Sequence, residues 1–239
     1  MMGLLVGATL GTAAAVVAGY NTMAPKSQLY GRTFIGREPG TRQLALTFDD
    51  GPNDPHTLAI LEILAKHGVR ATFFVIGRFA KEKPEIAREV NRAGHVVGNH
   101  TYSHPNLLLR SQAELQRQIR DCERAYEDAV GGKLAPLFRP PYGARRPAVL
   151  RTLRRLNLAP VMWSVSARDW QLKSGAEIER TVASQVRGGD VILMHDGSHT
   201  HMGADRGATV EATERLISRY RSEGYRFVTI PEMMASTAV

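Results

Sequence analysis

A single cysteine, Cys122, stands in a sequence of 239 residues. That scarcity excludes an intramolecular disulfide and a multi-cysteine zinc site, and it leaves the redox compartment open. There is no block of lysine and arginine and no nucleic-acid-binding motif, although 31 basic against 23 acidic residues give a net charge of +8. The basic residues are dispersed, mostly on expected helices. The charge therefore reads as a solvated surface, with steering of an anionic substrate as the lesser alternative, and nucleic acid is not an expected partner. Internal repeats and a carbohydrate-binding module are missing too. What is present is ordinary for a globular protein: 43% hydrophobic and 23% charged residues, in a length suited to one domain with a substantial core.

Charge is also missing from the first 25 residues, where Gly3 to Tyr20 is an apolar run rich in Gly and Ala. The run is marginal for a bilayer crossing and longer than a usual signal-peptide core. No Lys or Arg precedes it, whereas Lys26, Arg32 and Arg37 follow, which opposes simple export by the positive-inside bias. Residues 1–25 are expected to be a hydrophobic leader or membrane anchor, with membrane association through residues 3–20. That implies a cell-envelope protein, anchored or secreted. Residues 26–41 read as a linker and 42–239 as the folded domain.

From Arg42 onward, apolar runs alternate with amphipathic ones. Gln43–Phe48, Ala71–Ile76, His95–Asn99, Leu137–Arg139, Pro160–Val165, Val191–Met194 and Arg226–Ile230 are expected strands. The helices between them carry their own boundary signals. Asp54-Pro55 offers an N-cap and a first-turn proline, with Gly68 closing that helix, and Pro84 and Gly94 bracket the next. Ser111 with Glu114, and Ser174 with Glu177, match capping boxes. Leu115, Ile119, Cys122 and Tyr126 form a helical stripe suited to lying on a sheet. Thr209 is expected to cap a last long helix running to Tyr220 and ending near Gly224. Strands that alternate with helices imply parallel pairing and an α/β fold, either a closed barrel or an open doubly wound sheet.

The chemically unusual residues gather at strand ends. Asp49-Asp50 follow the first strand, His100 and His104 the third, Arg139 ends the fourth, Asp169-Trp170 follow the fifth, and His195-Asp196 follow the sixth. In parallel α/β folds these carboxyl ends share the face that bears the active site. His100 and His104 lie four apart, so a single helical turn closed by Pro105 would aim both imidazoles the same way. Two histidines and a carboxylate leave positions for water and substrate, the requirement for metal catalysis. The adjacent carboxylates divide naturally into a metal ligand and a proton acceptor. Spacing alone does not say which is which. A non-haem iron site has the same ligand types but needs neither the paired Asp nor a remote acid.

Five segments, Thr47-Phe-Asp-Asp-Gly51, His100-Thr-Tyr-Ser-His104, Arg139-Pro-Pro-Tyr-Gly143, Asp169-Trp170 and Leu193-Met-His195, together resemble the ordered motifs of the polysaccharide deacetylase family. This is the NodB-homology group of carbohydrate esterases, and the resemblance covers about residues 42 to 232. It implies a distorted (β/α)7 barrel and an N-deacetylase of chitin-like or peptidoglycan glycans that works as a monomer. By that resemblance Asp49 is the general base, and Asp50, His100 and His104 bind one divalent metal, zinc in the first place and cobalt or manganese as substitutes. Arg139 orients Asp49, the Tyr142 N–H joins the oxyanion site, and His195 is the general acid held by Asp169. Leu193 and Trp170 line the pocket for the acetyl methyl group. Ser166 departs from the family pattern, which often has an acidic residue three positions before the Asp-Trp pair. A hydrolase of non-sugar amides or O-acetyl esters, and a silent glycan-binding homologue, stand as alternatives.

Overall fold

The structure is a computed structural model that describes residues 17–236. Most of the apolar leader, including residues 3–16, lies outside the described residues. Among those described, no helix is long and apolar enough to cross a membrane.

The strands are β1 (Gln43–Asp49), β2 (Thr72–Val75), β3 (Val96–Asn99), β4 (Leu137–Phe138), β5 (Ala159–Pro160), β6 (Val165–Ser166), β7 (Asp190–His195) and β8 (Arg226–Phe227). All the pairings between them are parallel. Their order is β5-β4-β3-β2-β1-β7-β6, with β8 added beside β1. The helices are α1 (His56–Lys66), α2 (Gly77–Glu82), α3 (Pro84–Arg92), α4 (Gln112–Val130), α5 (Pro147–Arg155), α6 (Gly175–Ala183), α7 (Gly207–Ser222) and α8 (Ile230–Ala235). This is the distorted barrel implied by the motifs.

The single strand expected at Pro160–Val165 is in fact broken. Its first half pairs with β4 at one edge of the sheet and its second half with β7 at the other. Chain connectivity, rather than a continuous ladder, closes the barrel there. Part of the gap is filled by the segment expected to be a linker. Phe34 forms a bridge with Val161 and Gly36 with Asp190, and Thr33 is buried. Residues 26–41 therefore lie against the barrel rather than running free.

Strand β1 shows how the two-residue period sorts side chains. Leu44, Leu46 and Phe48 enter the main core beneath the helices, where Phe48 stacks on Phe73 at 5.1 Å. Ala45 faces the opposite way, into the cluster of Phe74, Leu137, Val161 and Val191. Asp49, in register with His195 of β7, ends the same inner row. An unbroken apolar strand thus delivers a carboxylate to the rim.

Ser111 and Ser174 accept hydrogen bonds from Glu114 N and Glu177 N, as helix N-caps do. The other two expected caps are different. Pro55, not Asp54, occupies the N-cap of α1, and the Asp54 carboxylate instead takes a hydrogen bond from Lys83. Helix α7 begins at Gly207, and Thr209 donates to Asp169, a partner 40 residues away. The last expected strand stops at Phe227, because Thr229 and Glu232 form a capping box that starts α8 at Ile230.

Candidate active site

The Asp49-Asp50 pair sits at the rim with its two members facing different neighbours. Asp49 Oδ1 accepts from the fully buried Arg139 at 2.7 Å. The same guanidinium donates to Thr47 Oγ1 at 2.9 Å and to Met162 O at 3.2 Å, and it lies 4.2 Å above the Phe74 ring. Burial lowers the Arg139 pKa, while Asp49 opposes that by charge and hydrogen bond. Oδ1 is thereby held from below, and Oδ2 stands 3.7 Å from His100 Nε2. Asp50 turns away at φ 74°, a left-handed conformation that Asp tolerates better than most residues. The chain around it is tightly packed. A Cβ on Gly197 would come within 2.3 Å of Asp50 O, and one on Gly51 within 2.0 Å of Asp196 Oδ2.

His100 and His104 converge on Asp50, but not through a helical turn. Thr101 and His104 both have positive φ, and the loop's N–H groups are taken by side chains. Asn99 Oδ1 accepts from Thr101 N, Thr101 Oγ1 from His104 N, and Gln118 Oε1 from both Tyr102 N and Ser103 N. Side-chain bonding to a local backbone competes with helix here and wins. His100 Nδ1 bonds to Arg139 O at 2.8 Å, which leaves Nε2 facing Asp50 Oδ1 at 3.6 Å. His104 Nε2 lies 3.4 Å from the same oxygen.

Asp50, His100 and His104 each offer one ligand atom, all within 4.8 Å of one another, and all three residues are buried. Asp50 Oδ1 and His104 Nδ1 have no hydrogen-bond partner in the protein. Leaving such groups unpaired in the interior is costly. Burial first, then His100, pushes His104 down to about 2, so its imidazole is neutral and has a lone pair to give. Burial works to raise Asp50, but a hydrogen bond to His199 and the charges of His195, His100 and His104 outweigh it and hold the carboxylate ionised. The neutral His104 imidazole and the His100 ring, beside an ionised, under-bonded carboxylate, fit a divalent cation.

The other flank is closed on itself. His195 Nδ1 contacts Asp169 Oδ1 at 2.9 Å, and Asp169 Oδ2 accepts from His195 N at 2.7 Å and from Thr209 Oγ1 at 2.9 Å. Burial alone would lower the His195 pKa, yet the Asp169 charge and hydrogen bond raise it to about 9. Its partner Asp169 is lowered for the reciprocal reason, despite burial. Trp170 stands edge-on to the His195 ring at 5.1 Å.

These residues open into one cavity of about 610 Å³, lined by Asp49, Asp50, His100, His104, Tyr142, Trp170, Leu193 and His195. Every expected site residue lines it except Arg139 and Asp169, which lie beneath Asp49 and His195. Tyr142, at φ 59°, caps a turn whose internal bonds use the N–H groups of Gly143 and Ala144. Sequence reasoning missed His199, Met23 and Trp163. His199 stacks on His104 at 4.5 Å and places Nδ1 3.8 Å from Asp50 Oδ2. The His-rich composition after β7 was its only signal. Asp196 is buried beneath the Asp50-Gly51 turn, bonded to Thr57, and pushed up to about 7 by burial. Ser166, the unusual residue, is tied through its backbone to the Gln185 side chain.

A model of the polysaccharide deacetylase family matches residues 36–161. A chitooligosaccharide deacetylase of Azorhizobium caulinodans is 37% identical over 78% of this chain and 91% of its own length. A peptidoglycan-N-acetylglucosamine deacetylase of Bacillus cereus is 38% identical over 82% of this chain and 69% of its own. Among solved structures, a peptidoglycan N-acetylglucosamine deacetylase in complex with an N-hydroxybenzamide aligns with a TM-score of 0.79 at 36% identity, covering 86% of this chain and 93% of that one. A carbohydrate esterase family 4 pseudoenzyme from Bacillus anthracis aligns at 0.77 and 27% identity, covering 93% and 82%. The family model spans more than half of the chain and the relatives most of it; the chain belongs to the polysaccharide deacetylase family.

Proposed function

We propose that the enzyme removes N-acetyl groups from a polymer or oligomer of an N-acetylated amino sugar, chitin-like or peptidoglycan, with the aid of one divalent metal ion. The observation that carries this reading is the division of the cavity rim. An under-bonded Asp-His-His cluster stands on one side of Asp49, and His195, bonded through ring and backbone to Asp169, on the other. Asp50, His100 and His104 would hold the cation, zinc by the donor set, with cobalt or manganese as substitutes. When bound, it would polarise the acetamide carbonyl and acidify a water molecule.

The remaining work belongs to the chain. Asp49, steadied through Oδ1 by Arg139, takes a proton from the attacking water at Oδ2. As the carbonyl carbon becomes tetrahedral, the Tyr142 N–H donates to the developing oxyanion. His195 carries a proton that Asp169 retains on the ring at neutral pH, and it passes one to the departing nitrogen. The C–N bond then breaks, giving acetate and a free amine. Leu193 and Trp170 provide an apolar wall for the acetyl methyl group. The site is complete within one chain, which supports a monomer. The apolar residues 3–20 and the glycans named for the relatives support a place at the cell envelope, anchored or secreted.

Acetate release from chitooligosaccharides, peptidoglycan and acetylxylan tests the reading. Release from an N-acetylated glycan faster than from acetylxylan is expected. Preference for acetylxylan, or for a small non-sugar amide, would move the enzyme to a different substrate class.

A further inference from the structure

The segment ahead of the barrel reaches the catalytic cavity. Residues 17–23 are helical, and Met23, 44% exposed, forms part of the cavity wall together with Tyr142, Gly143 and Trp163. Its neighbour Thr22 accepts a backbone hydrogen bond from Arg145, so Met23 stands beside the Pro140–Gly143 turn rather than at the β7 end.

Arg145 is what holds this strap. Its side chain is buried, 1% exposed, and no carboxylate pairs with it among the described residues. The guanidinium instead donates to Ala24 O and Ser27 O, both at 2.7 Å, and to Gly143 O at 3.2 Å. A buried cation satisfied by backbone carbonyls depends on the segment that supplies them. The same side chain touches the strap and the turn that carries Tyr142. The strap is also braced within itself and tied to β5. Tyr30 Oη donates to Ala18 O, and Phe34 N donates to Pro160 O. Met23 is therefore a built part of the wall.

A cavity of about 610 Å³ lies within the roughly 300–1,000 Å³ that takes drug-sized ligands, and it exceeds what an acetamido group needs. Leu193, Trp170 and His195 account for the reacting end. We infer that Met23 is a specificity-determining residue, packing its thioether on the apolar face of a sugar ring that lies beyond the immediate neighbour of the one that loses its acetyl group. Arg145 is the positioning residue that keeps it there. This rests on the deacetylase reading above.

The test is steady-state acetate release by the full chain from di-N-acetylchitobiose and tetra-N-acetylchitotetraose, before and after Met23→Ala. Loss of a few methylene-sized contacts lowers kcat/KM on the tetramer roughly fourfold to tenfold, through KM, and on the dimer by less. Arg145→Met has the same chain-length signature, and it also speeds tryptic cleavage after Lys26, which a passive wall residue would not do. If Arg145→Met does not fold, the half-exposed Met23→Ala still decides the matter. Equal losses on dimer and tetramer, a fall in kcat alone, or no change overturn the inference while wild-type turnover stands. No acetate from either substrate with wild-type enzyme overturns the deacetylase reading and this inference with it.

Discussion

The two flanks of the catalytic cavity are built on opposite principles. On the proton-donor side, Asp169 satisfies His195 through both ring and backbone and is itself satisfied by Thr209. Across the cavity, Asp50 Oδ1 is buried without a hydrogen-bond partner, and the Nε2 atoms of two imidazoles crowd it. The first flank is finished by the fold. The second is held in place by its loop, with ligand atoms of Asp50, His100 and His104 within 4.8 Å of one another, a set that could hold a metal ion. Rigid scaffolding with unpaired donor atoms is what a catalytic metal site requires, because a satisfied cluster would have nothing to offer.

The contrast can be broken from either side. The largest effect is expected for Asp49→Asn, which removes the proton acceptor and leaves the cation's three ligands in place. Turnover should fall about a hundredfold to ten-thousandfold, with zinc binding by calorimetry retained. Lost zinc binding would mean that Asp49, not Asp50, is the ligand. His195→Ala should cost turnover in the same range, and substrates with a better leaving group should recover part of it, since they need less protonation.

The metal flank is sharpened by thermal unfolding. Zinc at a hundredfold excess over its Kd should stabilise the fold by about 2.7 kcal/mol. For a chain of this length that is a rise in Tm of roughly 5–10 °C. His104→Ala should abolish the rise, whereas Asp169→Asn should leave it intact.

The smallest effect concerns pH. His195 is raised from 6.5 to about 9, so its contribution to stability is fully present below about 6.5 and fades as pH rises through about 9. Turnover that needs its proton should fall over the same alkaline range. Asp169→Asn takes away the charge that opposes burial, and the alkaline limb of the pH-rate profile should move to lower pH. An unmoved limb would assign that ionisation to another group.

Much of this site was legible in the sequence because each motif is short and local. Asp49-Asp50, His100, Arg139, Asp169 and His195 each lie at or just beyond the end of an apolar strand, and parallel pairing gathers such ends on one face. What escaped depends on long-range contacts. His100-Thr-Tyr-Ser-His104 has helical spacing, but Gln118, from another element, claims two of the loop's N–H groups. The run from Pro160 to Val165 reads as one strand until its ends find partners on opposite sheet edges. Thr209 has a cap's chemistry and spends it on Asp169. Residues 26–41 have a linker's composition, and nothing local announces that Arg145 and Val161 will hold the neighbouring backbone.

The central claim, a hydrolase that depends on a cation held by Asp50, His100 and His104, is tested most directly by chelation. Acetate release from a chitooligosaccharide is measured on untreated enzyme, after removal of divalent metal, and after return of one equivalent of zinc. The account predicts loss of release on chelation and its recovery with zinc in wild type, with no recovery in His104→Ala. Release that is indifferent to the chelator and to added metal would contradict it.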